Sequence, residues 1–305
     1  MPELPEVESF LLNIIPLLNS KVVEVITPSP TLPKQFPTTE FLQTSLINKT
    51  IISAERKGKL IKLTTSNNLH IFLHMMMTGR ISSPTNIPKL ESLNDTTTYP
   101  PPHTHLIVKA ANGAEFSFSD SRRFGFCKIF PSSDNSLFDE LAIDGLDSNL
   151  ASDDNVAKLA NQTKGVKALL LDQKKIVSGV GNWVADEICY NLNMHPDENN
   201  LTLAAAKQVL ETSHHVLSTA VKSSSYPQEW LFHFRWEKKS PVDFDEKPIS
   251  FILSGGRTTA IVKSRQQKGS FTSSKTKFKT KTKIKVKPST NKRKNQKRAD
   301  HQKVK

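Results

Sequence analysis

The spacing of apolar residues changes character near residue 133, and no single layer of structure satisfies both halves. Before that point, short apolar runs at strand length alternate with polar and proline-rich turns: Val22, Val23, Val25 and Ile26, then Ile51 and Ile52, then residues 60–63 and 70–73. Asn112-Gly113 joins residues 105–108 to 115–118 with the residue types that a tight hairpin turn needs. Beyond Asp154 the spacing is helical, over 156–163, 165–171, 183–192 and 203–221. Such a chain is expected to fold as α+β, with a β-sandwich over residues 1–132, an acidic, polar linker over 133–154 and a helical domain over 155–237. Two further runs, 249–253 and 258–262, flank Ser254-Gly255-Gly256 and predict a hairpin within 238–265. The proline-rich stretch 82–104 reads as a long surface loop.

A helix opens the chain. Pro2 and Pro5 suit its first turn, where a missing N–H costs nothing, and Val7, Phe10, Leu11, Ile14 and Ile15 follow at helical spacing. Removal of Met1 would leave Pro2 as a secondary amine at the helix's open end, beside Glu3 and Glu6. An amine attacks carbon only when neutral. A lysine of pKa about 10.4 is neutral in roughly one molecule in a thousand near pH 7, whereas an α-amino group at about 7.7–8.0 is neutral in a sizeable minority. The start therefore admits a nucleophile, and it equally admits two carboxylates that do no more than complement the helix dipole.

The net charge of +13 over 305 residues hides an asymmetry. Residues 263–305 hold 17 of the 42 Lys and Arg against one acid, Asp300, so that stretch carries +16 and residues 1–262 carry −3. The tail 266–305 has too little apolar content to pack and is expected to be disordered. It suits a polyanion, or else serves only solubility, and Lys292-Arg293-Lys294 with Lys297-Arg298 fits a nuclear import signal. No run of 18 apolar residues offers a membrane span, and Cys127 and Cys189 alone make no disulfide framework.

Three internal patches carry candidate chemistry. In Ser178-Gly179-Val180-Gly181-Asn182 the glycines let the backbone approach a ligand, and the helix that follows offers free N–H groups to a phosphate, although a tight corner between helices needs the same residues. Asp120-Ser121-Arg122-Arg123-Phe124-Gly125 sets two cations beside an aromatic ring, suited to a base stack, or to a surface ion pair over a core phenylalanine. Arg56-Lys57-Gly58-Lys59 is a basic stretch that also reads as a solvated edge.

Taken in order, Met-Pro-Glu-Leu-Pro-Glu-Val-Glu, Lys59, His74 to Gly79, Arg122-Arg123-Phe124-Gly125 and Gly179 to Glu187 resemble the formamidopyrimidine-DNA glycosylase and endonuclease VIII family over residues 1 to about 265. The resemblance implies a bifunctional glycosylase and abasic-site lyase that flips oxidised bases out of duplex DNA and acts as a monomer in the nucleus without a cofactor. It implies Pro2 as nucleophile, Glu3 as proton shuttle, Glu6 in support, and Lys59 on a phosphate flanking the lesion. Met77, Arg122 and Phe124 would fill the space left by the base, while Lys167 and Asn182 of a helix-two-turns-helix motif would contact phosphates. A noncatalytic nucleic-acid-binding protein is the alternative, and the Pro2-Glu3 start with Lys59 favours the enzyme.

Two departures from the family pattern stand out. Many members end in a hairpin holding zinc through four cysteines, but no cysteine follows Cys189 here, so no metal is expected. Residues 255–262 resemble instead the zincless finger of plant and fungal members, with Arg257 as the finger arginine. Residues 223–230 do not resemble the bacterial loop that caps 8-oxoguanine. The implied substrates are formamidopyrimidines, hydantoins, oxidised pyrimidines and abasic sites, with weak action on 8-oxoguanine.

Overall fold

The computed structural model describes residues 1–88, 97–223, 226–237 and 239–271. The tail from 272 onward, with both basic clusters, and the centre of the 82–104 loop lie outside the described residues.

Helix α1 (Leu4–Leu12) opens the fold and leads to β1 (Val22–Ile26). After α2 (Thr39–Leu46) come β2 (Ile51–Lys57), β3 (Leu60–Thr65), β4 (Leu69–His74) and β5 (Arg80–Ser82). Strands β6 (Thr104–Ala110), β7 (Glu115–Ser119) and β8 (Phe126–Pro131) complete two four-stranded antiparallel sheets, ordered β1-β6-β7-β5 and β2-β3-β4-β8. Alternation along the strands sends Leu63, Ile71 and Leu73 of one sheet and Leu106, Val108, Phe116 and Phe118 of the other into a shared apolar core. Val7, Phe10 and Leu11 seat α1 on that core. The hairpin at Asn112-Gly113 forms, with Gly113 at φ 85° and its N–H donated to Ala110 O.

The second half contains α3 (Ser136–Asp139), α4 (Asp153–Ala160), α5 (Val166–Leu171), α6 (Asn182–Asn191) and α7 (Leu203–Lys222). Helices α4 to α7 bury a separate cluster that includes Val184, Ile188, Val209 and Leu217, and Leu4 of α1 enters it, whereas Phe138 of α3 packs on Leu60 and Phe72 of the sandwich. The chain then forms the hairpin β9 (Ser250–Ser254) and β10 (Arg257–Ile261), turned by Gly255 and Gly256, both at positive φ as such a turn demands.

The stretch expected to be an acidic, polar linker, 133–154, packs into the fold. Ala142, Gly145 and Leu150 are buried, and Asp144 accepts the Gly58 N–H at 2.6 Å while pairing with Arg56. Arg56 pairs with Glu8 as well, so the basic stretch before Lys59 is a buried joint between the halves rather than a solvated edge. Such a joint is held because an ion stripped of water needs a partner.

Candidate active site

Glu3 lies at the seam between the sandwich and the helices and is only 2% exposed. Its carboxylate accepts the Trp183 N–H on Oε1 (2.9 Å) and the Val184 N–H on Oε2 (3.1 Å), which occupies the positive end of α6. These are the groups expected to stay free for a phosphate, and the acid has taken two of them. Gly181 permits the contact, because a Cβ there would fall 2.2 Å from Glu3 Cδ. Its φ of −124° suits any residue, so the requirement is steric alone. Gly181→Ala should therefore destabilise the protein by about 1–3 kcal/mol in denaturant unfolding. A variant as stable as the parent would place Glu3 elsewhere.

Glu6 sits one helical turn on. Its carboxylate accepts the Glu3 N–H (2.9 Å) and the Trp183 Nε1–H (3.1 Å). Burial, then repulsion from Glu3, pushes Glu6 up to about 7. Burial likewise raises Glu3, against the pull of Lys59 and the two amide donors. Pro2 is buried beside them, and with Met1 attached its nitrogen is a peptide nitrogen. The Met1 amine marks the place: burial lowers its proton affinity, Glu3 and Glu6 raise it, and Lys59 and Arg257 lower it.

Lys59, on the turn between β2 and β3, is 6% exposed and acts electrostatically on Glu3. Gly58 stands at φ 59°, and a Cβ on it would meet Ser178 Cβ at 2.8 Å, so the turn packs directly on the approach to α6. Burial lowers Lys59 to about 8, while Glu3 and Glu6 oppose and Arg257 assists. Opposite Leu60 on β4, His74 is pushed down to about 4 by burial and by Lys59, and its neutral ring accepts the Met76 N–H at 2.9 Å.

Asp120 organises the neighbouring loop. It accepts the Gly125 N–H (2.7 Å), the Arg122 N–H (3.2 Å) and the Thr78 hydroxyl, tying the 75–79 turn that carries Met77 to the Arg122–Phe124 tip. Phe124 is 47% exposed with the Arg122 guanidinium 4.8 Å above its ring, so the core alternative for Phe124 does not hold. The two arginines part company. Arg123, at φ 58°, turns back and donates to Thr31 O (3.0 Å) and Leu32 O (2.9 Å).

Lys167 overturns its expectation. It is 0% exposed, with Nζ on Asp186 Oδ1 (2.5 Å) and Thr259 Oγ1 (2.6 Å), and is out of reach of a phosphate on the surface. A surface lysine and a buried paired one look alike in sequence, and the signal lay in Asp186, 19 positions away. Asn182 directs one amide hydrogen to Thr258 O (3.0 Å), towards β10 rather than away from the protein. Arg257 is exposed, and its charge bears on Lys59 and the amino terminus.

The hairpin does not fit a zinc ion. Residues 250–261 contain neither Cys nor His. Cys127 and Cys189 are buried in separate cores, and burial pushes both thiols up, Cys127 to about 12. Among the described residues no group of three or more His, Cys, Asp or Glu is placed to hold a metal ion.

Comparisons with known proteins agree with this architecture. Residues 1–127 match the formamidopyrimidine-DNA glycosylase N-terminal domain, and residues 141–229 match the formamidopyrimidine-DNA glycosylase H2TH domain. A formamidopyrimidine-DNA glycosylase of Arabidopsis thaliana is 34% identical over 289 residues, 88% of this chain and 71% of that protein. One from Ureaplasma parvum serovar 3 is 32% identical over 233 residues, 73% of this chain and 79% of its own length. In fold, the chain matches the Lactococcus lactis enzyme bound non-covalently to DNA containing an abasic site, with a TM-score of 0.68 at 22% identity over 87% of this chain and 100% of that one. With its N-terminal helix on a β-sandwich, its helical second half and its Pro2-Glu3 start against α6, the chain belongs to the formamidopyrimidine-DNA glycosylase family.

Proposed function

We propose that this chain is a DNA glycosylase of base excision repair and also cleaves the abasic site it makes. The carrying observation is the buried Pro2-Glu3 start, where Glu3 and Lys59 act on each other's charge and Arg257 acts on Lys59. After loss of Met1, the Pro2 nitrogen attacks C1′ of a flipped nucleotide, the bond from C1′ to the base breaks, and the base leaves with a proton. Glu3 gives a proton to the sugar ring oxygen as the ring opens and takes it back later, a task suited to a carboxyl whose proton affinity burial has raised. The resulting iminium withdraws electrons, so loss of a C2′ proton expels the 3′ phosphate and a further elimination expels the 5′ phosphate. At the Met1 amine, one residue ahead of Pro2, burial lowers the proton affinity more than Glu3 and Glu6 raise it, and Lys59 and Arg257 add to the lowering; a Pro2 amine in the same setting would be more readily neutral than a free one.

Lys59 and Arg257 hold the flanking phosphates in this reading, with Asn182 at the same seam and Glu6 fixing the first turn of α1. Phe124 and Arg122 stand out from the sandwich, as a wedge and a partner for the orphaned base must, and Met77 sits on the adjoining turn. The substrates are duplex DNA with formamidopyrimidines, hydantoins, oxidised pyrimidines or abasic sites, and 8-oxoguanine is a poor one.

Borohydride reduction tests the whole reading. Protein lacking Met1 should form a covalent adduct with an abasic duplex and with a formamidopyrimidine duplex, and much less with 8-oxoguanine. An extra residue ahead of Pro2 should abolish it. No adduct from correctly processed protein would leave a noncatalytic DNA-binding protein, and equal yields on the two damaged bases would remove the substrate preference.

A further inference from the structure

Three consecutive residues of β10, immediately after Arg257, are each tied to the helices. Thr258 O accepts from Asn182 Nδ2 (3.0 Å). Thr259 Oγ1 accepts from Lys167 Nζ (2.6 Å), and the Ala260 N–H donates to Asp186 Oδ2 (3.0 Å). Asp186 is 0% exposed and also pairs with Arg235 at 2.7 Å, so one carboxylate gathers α5, α6, the turn after residue 230 and the hairpin. The Thr259 hydroxyl completes a chain, because it donates in turn to Arg257 O at 3.0 Å. At the tip, Gly255 lies so close to α5 that a Cβ would meet Ala168 N and Cα at 3.3 Å.

We infer that Thr259 is a positioning residue for Arg257, fixed by the Lys167–Asp186 pair, and that this buried polar clamp orients the finger in a hairpin without metal ligands. A two-stranded hairpin is at best marginally stable in water by itself, so its geometry must be imposed from outside. Zinc-binding members impose it with a metal. Here a lysine with no exposed surface donates to the hydroxyl that holds the Arg257 carbonyl. A charge-assisted bond in a dry setting is short and directional, as orientation requires. Asp186 itself is a poor probe, because its removal would leave Lys167 and Arg235 buried without their shared counter-charge. Thr259→Val is better: it keeps the shape and replaces the hydroxyl by a methyl, leaving both charges of the pair in place.

This inference rests on the reading of Arg257 as a phosphate contact, and the test separates the two. Binding of the full chain to a duplex with a stable abasic analogue is measured across salt concentrations for the parent, Thr259→Val, Thr259→Ser, Arg257→Ala and the Arg257→Ala/Thr259→Val double variant. Loss of one phosphate contact lowers the salt slope by roughly one. Arg257→Ala should show that change, Thr259→Val should reproduce it with about tenfold weaker binding, and Thr259→Ser should restore the parent. The double variant should bind no worse than Arg257→Ala. An unchanged slope in Arg257→Ala overturns the phosphate contact. A normal Arg257→Ala effect with Thr259→Val silent, or with an additive double variant, overturns the positioning role. Should Thr259→Val melt below the assay temperature, Thr259→Ala removes the hydroxyl without a new methyl against Lys167, and the same outcomes decide.

Discussion

Glu3→Gln should slow excision of a damaged base by about 10²–10⁴-fold, the range for a positioned acid–base group. Burial raises Glu3, while the Trp183 and Val184 N–H groups and the charge of Lys59 pull it back, leaving a carboxyl able both to give and to take a proton. Glutamine fills the same space but turns an NH2 towards one of two N–H donors. One hydrogen bond is lost and two donors face each other, which should also cost about 1–3 kcal/mol of stability. Single-turnover excision at saturating enzyme must therefore be paired with a melt. A preformed abasic sugar already samples its open aldehyde and has no base to expel, so borohydride trapping on it should fall far less than excision. A folded Glu3→Gln protein that excises at the parent rate would remove Glu3 from proton transfer.

How much of this site can be read from the chain depends on whether a residue's role is local. The helix start at Pro2-Glu3 and the hairpin at Gly255-Gly256 are legible because proline and glycine constrain their own neighbourhood, whereas Phe124 reads equally as a core residue and only the family resemblance assigns it to the tip. Partnerships across long separations are not. Glu3 and Trp183 are 180 positions apart, and nothing beside Gly181 reveals that its missing side chain makes room for a carboxylate rather than a phosphate. Lys167 and Asp186 form a buried pair in which each charge, taken singly, reads as a solvated face. Asp144 sits in an acidic stretch with the composition of a linker, yet it closes the Arg56 joint that presents Lys59. Short or mixed strands are also silent. Strand β5 has three residues, and β8 carries Lys128 amid apolar neighbours beside the more conspicuous arginine loop.

The pH dependence of catalysis should identify Lys59. In the free protein burial lowers this lysine to about 8, so it carries its charge below that pH and loses it above. Because kcat/KM reports ionisations of the free enzyme, its alkaline limb should fall near pH 8. Lys59→Arg, whose guanidinium stays charged, should carry that limb beyond the measurable range, and Lys59→Met should lower kcat/KM by about 10- to 150-fold at every pH below it, the worth of a charged hydrogen bond. Unfolding driven by Lys59 itself cannot mimic this limb. An unfolded lysine titrates near 10.5, so between about pH 8 and 10.5 the unfolded chain binds more protons than the folded one, and the contribution of Lys59 to stability rises with pH. Activity should thus decline over a window in which this group makes the fold more stable. A limb that stays near pH 8 in folded Lys59→Arg protein would assign the titration to another group, with the terminal amine as the next to examine.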